Sequence, residues 1–363
     1  MRITPLRATL VAFVLASSTV TISGTTAVAT PESPPNTVSK ISDGLARALS
    51  VELTDRAVRD NLAKIAPVTP VDTGALDVRG RLGSVIAKAD ADLLALKGLP
   101  AGAARLSQVR LGDKSMVDAL RHGVAPLVAT TPNDDNQADF TAYEPGGKTL
   151  TLPKATIPQR PVLFVDVNVK VATQLGAAVI DRETSKVRKP TATAPAATAA
   201  AGYWATQITS IRFNDVEEPW FKGAAEIFAI VGGFDLNGDA RTDVVDMPYL
   251  DDANHTYYPN QLVIHWNRYK YNAADIVFME DDGDTNYLQL AQALVSALAY
   301  ILDAGAYAPL VSAILNAMPG SWWTDDPDFV DACYAVTQEA NWTRNCAGGN
   351  GTLSVRPFWV SQL

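Results

Sequence analysis

The sequence predicts an α+β protein, in which a helical and mixed N-terminal region precedes an antiparallel β-sandwich with a packed helical hairpin. Three observations lead there. Apolar residues recur at helical spacing early in the chain and at strand spacing after residue 202, an Ala/Thr/Pro tract separates the two regimes, and a long apolar run follows the central strands. With 363 residues, 47% hydrophobic and 19% charged, the chain has enough apolar content to bury a core and is too apolar for a disordered polymer.

The chain opens on a targeting pattern. Arg2 and Arg7 form a basic start, residues 8–20 an apolar stretch, and Ala27-Val28-Ala29 a small-residue cleavage signal, so residues 1–29 read as a signal peptide and the mature chain begins at Thr30. A secreted, extracellular protein is the expectation.

Residues 30–189 read as the α+β N-terminal domain. Leu45, Leu49, Leu53, Val58, Leu62 and Ile65 predict one amphipathic helix over 41–66 with Asp43 near its N-cap. Leu82, Ile86, Leu93, Leu94 and Leu96 predict a second over 76–98, and Met116, Leu120 and Leu127 a third over 115–128. Residues 140–143, the Gly146-Gly147 turn and Leu150 and Leu152 among threonines predict a hairpin, and 161–167 (PVLFVDV) a further strand. Residues 190–201 carry two prolines and no side chain able to anchor a core, the composition of a linker.

Residues 202–363 read as a calcium-binding-type β-sandwich domain with a helical layer. Short β-branched and aromatic runs at 208–213, 225–232, 261–266 and 274–279 alternate with polar loops, and 352–360 supplies a closing strand. Within 287–318 only Asp303 is charged, and Asp303-Ala304-Gly305 and Pro309 divide the run into two helices too short to span a bilayer. A layer buried on the sheet is the main reading; an inserting hairpin of a pore former is the sharper alternative. No uninterrupted apolar run in the mature chain reaches the roughly 20 residues of a transmembrane segment.

Cys333 and Cys346 are the only two cysteines, both in the exported part. In an oxidising compartment they read as one disulfide closing a small loop, worth roughly 3 kcal/mol in the chain-entropy model. The net charge of −9 is concentrated: residues 205–290 hold 15 acidic against 5 basic side chains. That balance argues against nucleic acid and favours cations.

The strongest local motif runs from Asp235 to Asp246. Asp235, Asn237, Asp239, Asp243 and Asp246 set oxygen ligands at positions 1, 3, 5, 9 and 12 of a twelve-residue loop, with the Arg241 carbonyl at position 7, and this alternation suits Ca²⁺. Ala240 stands where such loops carry glycine, and Asp246 where they carry a longer glutamate. A second candidate set is Asp215, Glu217, Asp281, Asp282 and Asp284, brought to one pole if the loops at one end of the sandwich converge.

Catalytic motifs are absent from the sequence. His122, His255 and His265 come without a G-x-S-x-G elbow or an H-E-x-x-H helix, and both cysteines are assigned to the disulfide. Glu217, Glu218, Glu226 and Glu280 are the carboxylates a secreted glycosidase or peptidase would use. Trp322-Trp323, Tyr257-Tyr258, Tyr269 and Tyr271 are candidates for a sugar-stacking platform.

EIFAIVGG (226–233), VDMPYLDD (245–252), YYPNQLVIHW (257–266) and FMEDDGDTNY (278–287) resemble a secreted bacterial family catalogued as domain of unknown function 3103, as do RLSQVRLGDKSMVDALRHGVAPLVAT and PVLFVDVNV in the first half. The resemblance covers most of the mature chain and carries no catalytic residue with it. The distal half is also similar in pattern to calcium-dependent C2-like sandwiches, through Glu280-Asp281-Asp282 and the acids near Trp220. The resulting expectation is a non-catalytic, calcium-stabilised extracellular module that binds a glycan or a protein. A secreted hydrolase using acidic residues of the distal domain is the alternative.

Overall fold

Residues 162–167 are apolar at five of six positions because both faces of their strand are covered. In the computed structural model, which describes residues 37–65, 70–76, 80–132, 138–186, 202–216, 220–222, 225–281, 283, 285–304 and 329–362, this strand is central to a six-stranded sheet. The strands are β1 (Val71–Asp72), β2 (Ser107–Leu111), β3 (Leu127–Thr130), β4 (Asp139–Tyr143), β5 (Thr149–Pro153) and β6 (Val162–Val167), in the order β1-β2-β6-β3-β4-β5. Only β3 and β6 pair in parallel. Leu163 and Val165 pack against helices α1 (Thr37–Glu52) and α3 (Arg81–Leu96), while Val162 and Phe164 pack with Met116, Phe140 and Phe221 on the other side.

Two expected helices differ from the sequence reading. The stretch over 41–66 is split into α1 and α2 (Arg56–Ile65): the Asp55 carboxylate accepts from the Ala57 amide at 2.7 Å, and Arg59 donates to the Leu53 and Thr54 carbonyls, so the chain restarts at a new cap. Asp43 lies inside α1, where it accepts from the Tyr143 hydroxyl. The expected helix over 115–128 is only α4 (Val117–Arg121). It ends at a turn through Gly123 at φ +83°, and Leu127 opens β3. Helix α5 (Val169–Ser185) follows β6, capped by the Asn168 side chain on the Val171 amide.

The distal strands are β7 (Gly202–Phe213), β8 (Ile227–Phe234), β9 (Ala240–Asp246), β10 (Gln261–His265), β11 (Ala274–Glu280), β12 (Phe329–Val336), β13 (Trp342–Asn345) and β14 (Gly351–Ser361). They form two antiparallel four-stranded sheets, β10-β7-β14-β13 and β12-β11-β8-β9. Ile208, Ile211, Val263, Leu353 and Val355 of the first meet Ile227, Ala229, Val231, Ile276 and Phe278 of the second in a single core. Period-two sequence is thus explained by two half-buried sheets face to face. The disulfide joins Cys333 of β12 to Cys346, beside the fully buried Asp331.

The outer face of the second sheet is covered by α5 and by α6 (Tyr287–Ala304), the first helix of the expected hairpin; the second falls in 305–328, outside the described residues. Phe228, Ile230, Val277 and Met279 share one cluster with Leu93, Leu94, Val179 and Ile180, so both halves of the sequence contribute to the same core. Gly176 is what lets α5 and α6 close: a Cβ there falls 2.1 Å from Tyr287 Cδ1. A second joint forms where Arg110 bonds Asp166, Thr131 and the Phe221 carbonyl. Residues 1–29, read from the sequence as a signal peptide, and 190–201, read as a linker, lie outside the described residues. Among those described, no helix is long and apolar enough to cross a membrane.

Candidate functional site

The twelve residues from Asp235 to Asp246 do not form one loop. Asp235 to Asp239 make a tight turn in which Asp235 Oδ1 accepts from the amides of Asn237 at 2.9 Å and Asp239 at 3.0 Å, and Gly238 takes φ +88°. Ala240 then starts β9, which pairs with β8 from Phe234↔Ala240 to Phe228↔Asp246. A seven-residue strand is about 20 Å long, so Asp235 and Asp246 stand at opposite ends of a hairpin and no ion with ligand distances near 2.4 Å reaches both.

Asp243 is also engaged. Arg241 grips its carboxylate with both Nε (2.9 Å) and a terminal nitrogen (2.5 Å), the Tyr269 hydroxyl donates at 2.8 Å, and Arg268 lies at 3.6 Å. Burial pushes the Asp243 carboxyl up, but the hydrogen bonds and charge of Arg241 hold it below its ordinary value. The spacing read as a calcium shell is therefore a turn followed by a strand with its own ion pair, and the donor set does not fit one ion. Of the second set, Asp215 lies in the loop after β7, where Asn350 brackets its backbone; Glu217, Asp282 and Asp284 lie outside the described residues. Asp281 is buried and accepts from Lys97, the Gly283 amide and the Tyr287 hydroxyl. Among the described residues, no three His, Cys, Asp or Glu side chains are grouped to hold a metal ion.

The sheet does gather acids at one end. Asp281 donates its amide to the Glu226 carbonyl, Met247 donates to Ile227, and Asp246 faces Phe228, so Glu226, Asp246 and Asp281 share the end where β8 begins and β9 and β11 finish. Burial, then the charges of Asp246 and Asp251, push the Glu226 carboxyl up to about 7, against the pull of Lys170. Burial also raises Asp246, opposed by a hydrogen bond from Gln174. The other carboxylates named for a hydrolase fare differently: Glu280 is buried at the end of β11, and Glu217 and Glu218 lie outside the described residues. The histidines are dispersed: His265 bonds the Tyr203 hydroxyl at 3.0 Å, His122 the Asp118 carbonyl, and His255 packs edge-on against Tyr257.

Of the aromatics singled out, Trp322 and Trp323 lie outside the described residues, Tyr269 is buried, Tyr258 is exposed, and Tyr271 is exposed with its ring edge-on to Phe234. The structure instead presents Trp204 and Trp359. They are direct cross-strand partners on β7 and β14, their rings meet edge to face at 5.3 Å, and they stay 42% and 41% exposed. Gly202 makes the arrangement possible, since a Cβ there falls 2.9 Å from the Trp359 ring. Phe358 is exposed next to Trp359 in the chain. Sequence reading missed the pair because the two residues are 155 positions apart, and only the register between β7 and β14 unites them.

No curated protein and no solved structure matches the chain. Residues 38–362 match the family model described as "Protein of unknown function (DUF3103)". The chain belongs to the DUF3103 family.

Proposed function

We propose that this protein is a secreted, non-catalytic binding module that engages an extracellular glycan through Trp204 and Trp359. The observation that carries the reading is the exposed cross-strand tryptophan pair, held by a twelve-residue and an eleven-residue strand rather than by a loop. The solvent-facing surface of the two touching rings offers an apolar platform for the CH face of a pyranose, and rigid presentation lowers the entropy lost on binding. The cleavage pattern at residues 27–29 and the disulfide support an oxidising, extracellular setting. Calcium is not part of the proposal, because the 235–246 residues do not fit one ion. Incubation with insoluble polysaccharides tests it: the native chain is expected to sediment with at least one, and a Trp204→Ala/Trp359→Ala double variant to stay in the supernatant. Equal sedimentation of the two overturns it.

One observation favours a hydrolase as the second reading: a Glu226 carboxyl that holds its proton to about pH 7 beside Asp246 and Asp251, the state a general acid needs. Hydrolysis of a glycoside or peptide that disappears in Glu226→Gln would establish it.

A further inference from the structure

Lys97 and Asp281 are far apart in sequence, and both side chains are wholly shielded from solvent. Lys97 is the residue just after α3, and Asp281 the residue just after β11. The Lys97 Nζ lies 3.4 Å from Asp281 Oδ1 and donates to the Gly283 carbonyl at 2.9 Å, with the Tyr287 ring 5.4 Å away. Oδ1 also accepts from the Gly283 amide at 2.8 Å, while the Tyr287 hydroxyl donates to Oδ2 and is linked at 2.9 Å to Thr173 Oγ1.

The geometry points to a covalent use of this pair: we propose that Lys97 and Asp281 condense into an intramolecular amide that ties α3 to the sandwich. The step begins with passage of one proton from the Lys97 ammonium to the Asp281 carboxylate it already contacts, which frees the amine to act as nucleophile. The Nζ lone pair then forms a bond to Asp281 Cγ. Oδ1 becomes the amide oxygen, steadied through the tetrahedral stage by the Gly283 amide. The other oxygen departs as water with one further amine proton, relayed by the Tyr287 hydroxyl and its Thr173 partner. One ammonium and one carboxylate become one amide and one water, with no oxidant or co-reactant. The Gly283 carbonyl and N–H, which now partner Lys97 Nζ and Asp281 Oδ1, place an acceptor and a donor beside the atoms that would form the amide.

Mass spectrometry of the full chain, denatured and with the disulfide reduced, tests the proposal. The expected mass is lower than that calculated from the chain's own N-terminus by one water, about 18 Da. Asp282-Gly283 can lose the same mass by cyclising on itself, so the deciding readout is the digest: one branched peptide carrying Lys97 and Asp281, absent from Lys97→Arg and Asp281→Ala. Recovery of the two residues only in separate linear peptides from the native chain overturns the proposal, whatever the intact mass.

Discussion

Asp331→Ala should be among the most damaging single changes in the sandwich. The Asp331 side chain is fully buried and fully used: Oδ1 accepts from the amides of Ala332 at 2.7 Å and Gly348 at 2.6 Å, and Oδ2 from Gly351 at 2.7 Å. The Gly348 and Gly351 amides tie the turn between β13 and β14 to β12, next to Cys346 of the disulfide. Gly348 accepts this approach because it has no Cβ, which would lie 2.8 Å from Oδ1. Alanine leaves three donors without their acceptor, and each orphaned buried group costs about 1–3 kcal/mol, for a total of about 3–6 kcal/mol where some relaxation admits water. That is a large share of the roughly 5–15 kcal/mol available to a folded protein. In a unit of this size it corresponds to a fall in melting temperature of roughly 5–10 °C. Asp331→Asn keeps one acceptor oxygen but turns an NH₂ toward one of the amides, so it should fall between. Thermal unfolding followed by circular dichroism, with the disulfide intact, reads the series. A melting temperature for Asp331→Ala within 1 °C of the native chain would refute the reasoning.

The remaining expectations concern the acids. Glu226 has a folded-state pKa of about 7 against an ordinary 4.5, so the folded state binds the proton more tightly and its contribution to stability is lost as pH rises from 4.5 to 7. Glu226→Gln should match the native chain near pH 4 and exceed it by about 3 kcal/mol at pH 8, as read by urea unfolding at both values; parallel pH profiles would contradict this. Arg241→Ala removes the two-pronged partner of the Asp243 carboxylate, leaving it the Tyr269 hydroxyl and Arg268, and should cost about 1–3 kcal/mol, much of it recovered in Arg241→Ala/Asp243→Ala on the same unfolding curves. Asp235→Ala removes the acceptor of two turn amides and should lower stability by about 1 kcal/mol equally in EDTA and in millimolar calcium. A deficit confined to calcium would restore the metal reading.

Much of the architecture is legible in the sequence where burial sets the period. The 140–153 hairpin, the strand at 162–167 and the strands at 261–265 and 274–280 appear as expected; one or both faces of the latter strands and of β4 are packed, while the largely exposed β5 is announced by the Gly146-Gly147 turn and its alternating threonines. Helix α5 is hidden by Gly176 and by charged residues at its solvent side, since its packing depends on a glycine that pattern reading treats as a breaker. Strand β9 is hidden by its acids. Asp243 and Asp246 look like ligands by spacing, whereas Asp243 is answered by Arg241 two residues earlier on the same strand and Asp246 by Gln174 and Lys170 from α5. Leu127 extends a helical period by accident, and the turn at Gly123 decides against it. The tryptophan pair depends wholly on strand register, which no local pattern encodes.

Calorimetric titration of residues 30–363 with soluble fragments of whichever polysaccharide retains the protein tests the binding reading most directly. Loss of one stacked indole is worth about 0.5–1.5 kcal/mol beyond its area, so Trp204→Ala and Trp359→Ala are each expected to weaken saturable binding by about tenfold. Both should do so without a matching loss in melting temperature, since neither ring is buried. Binding of native strength in both variants would contradict the account.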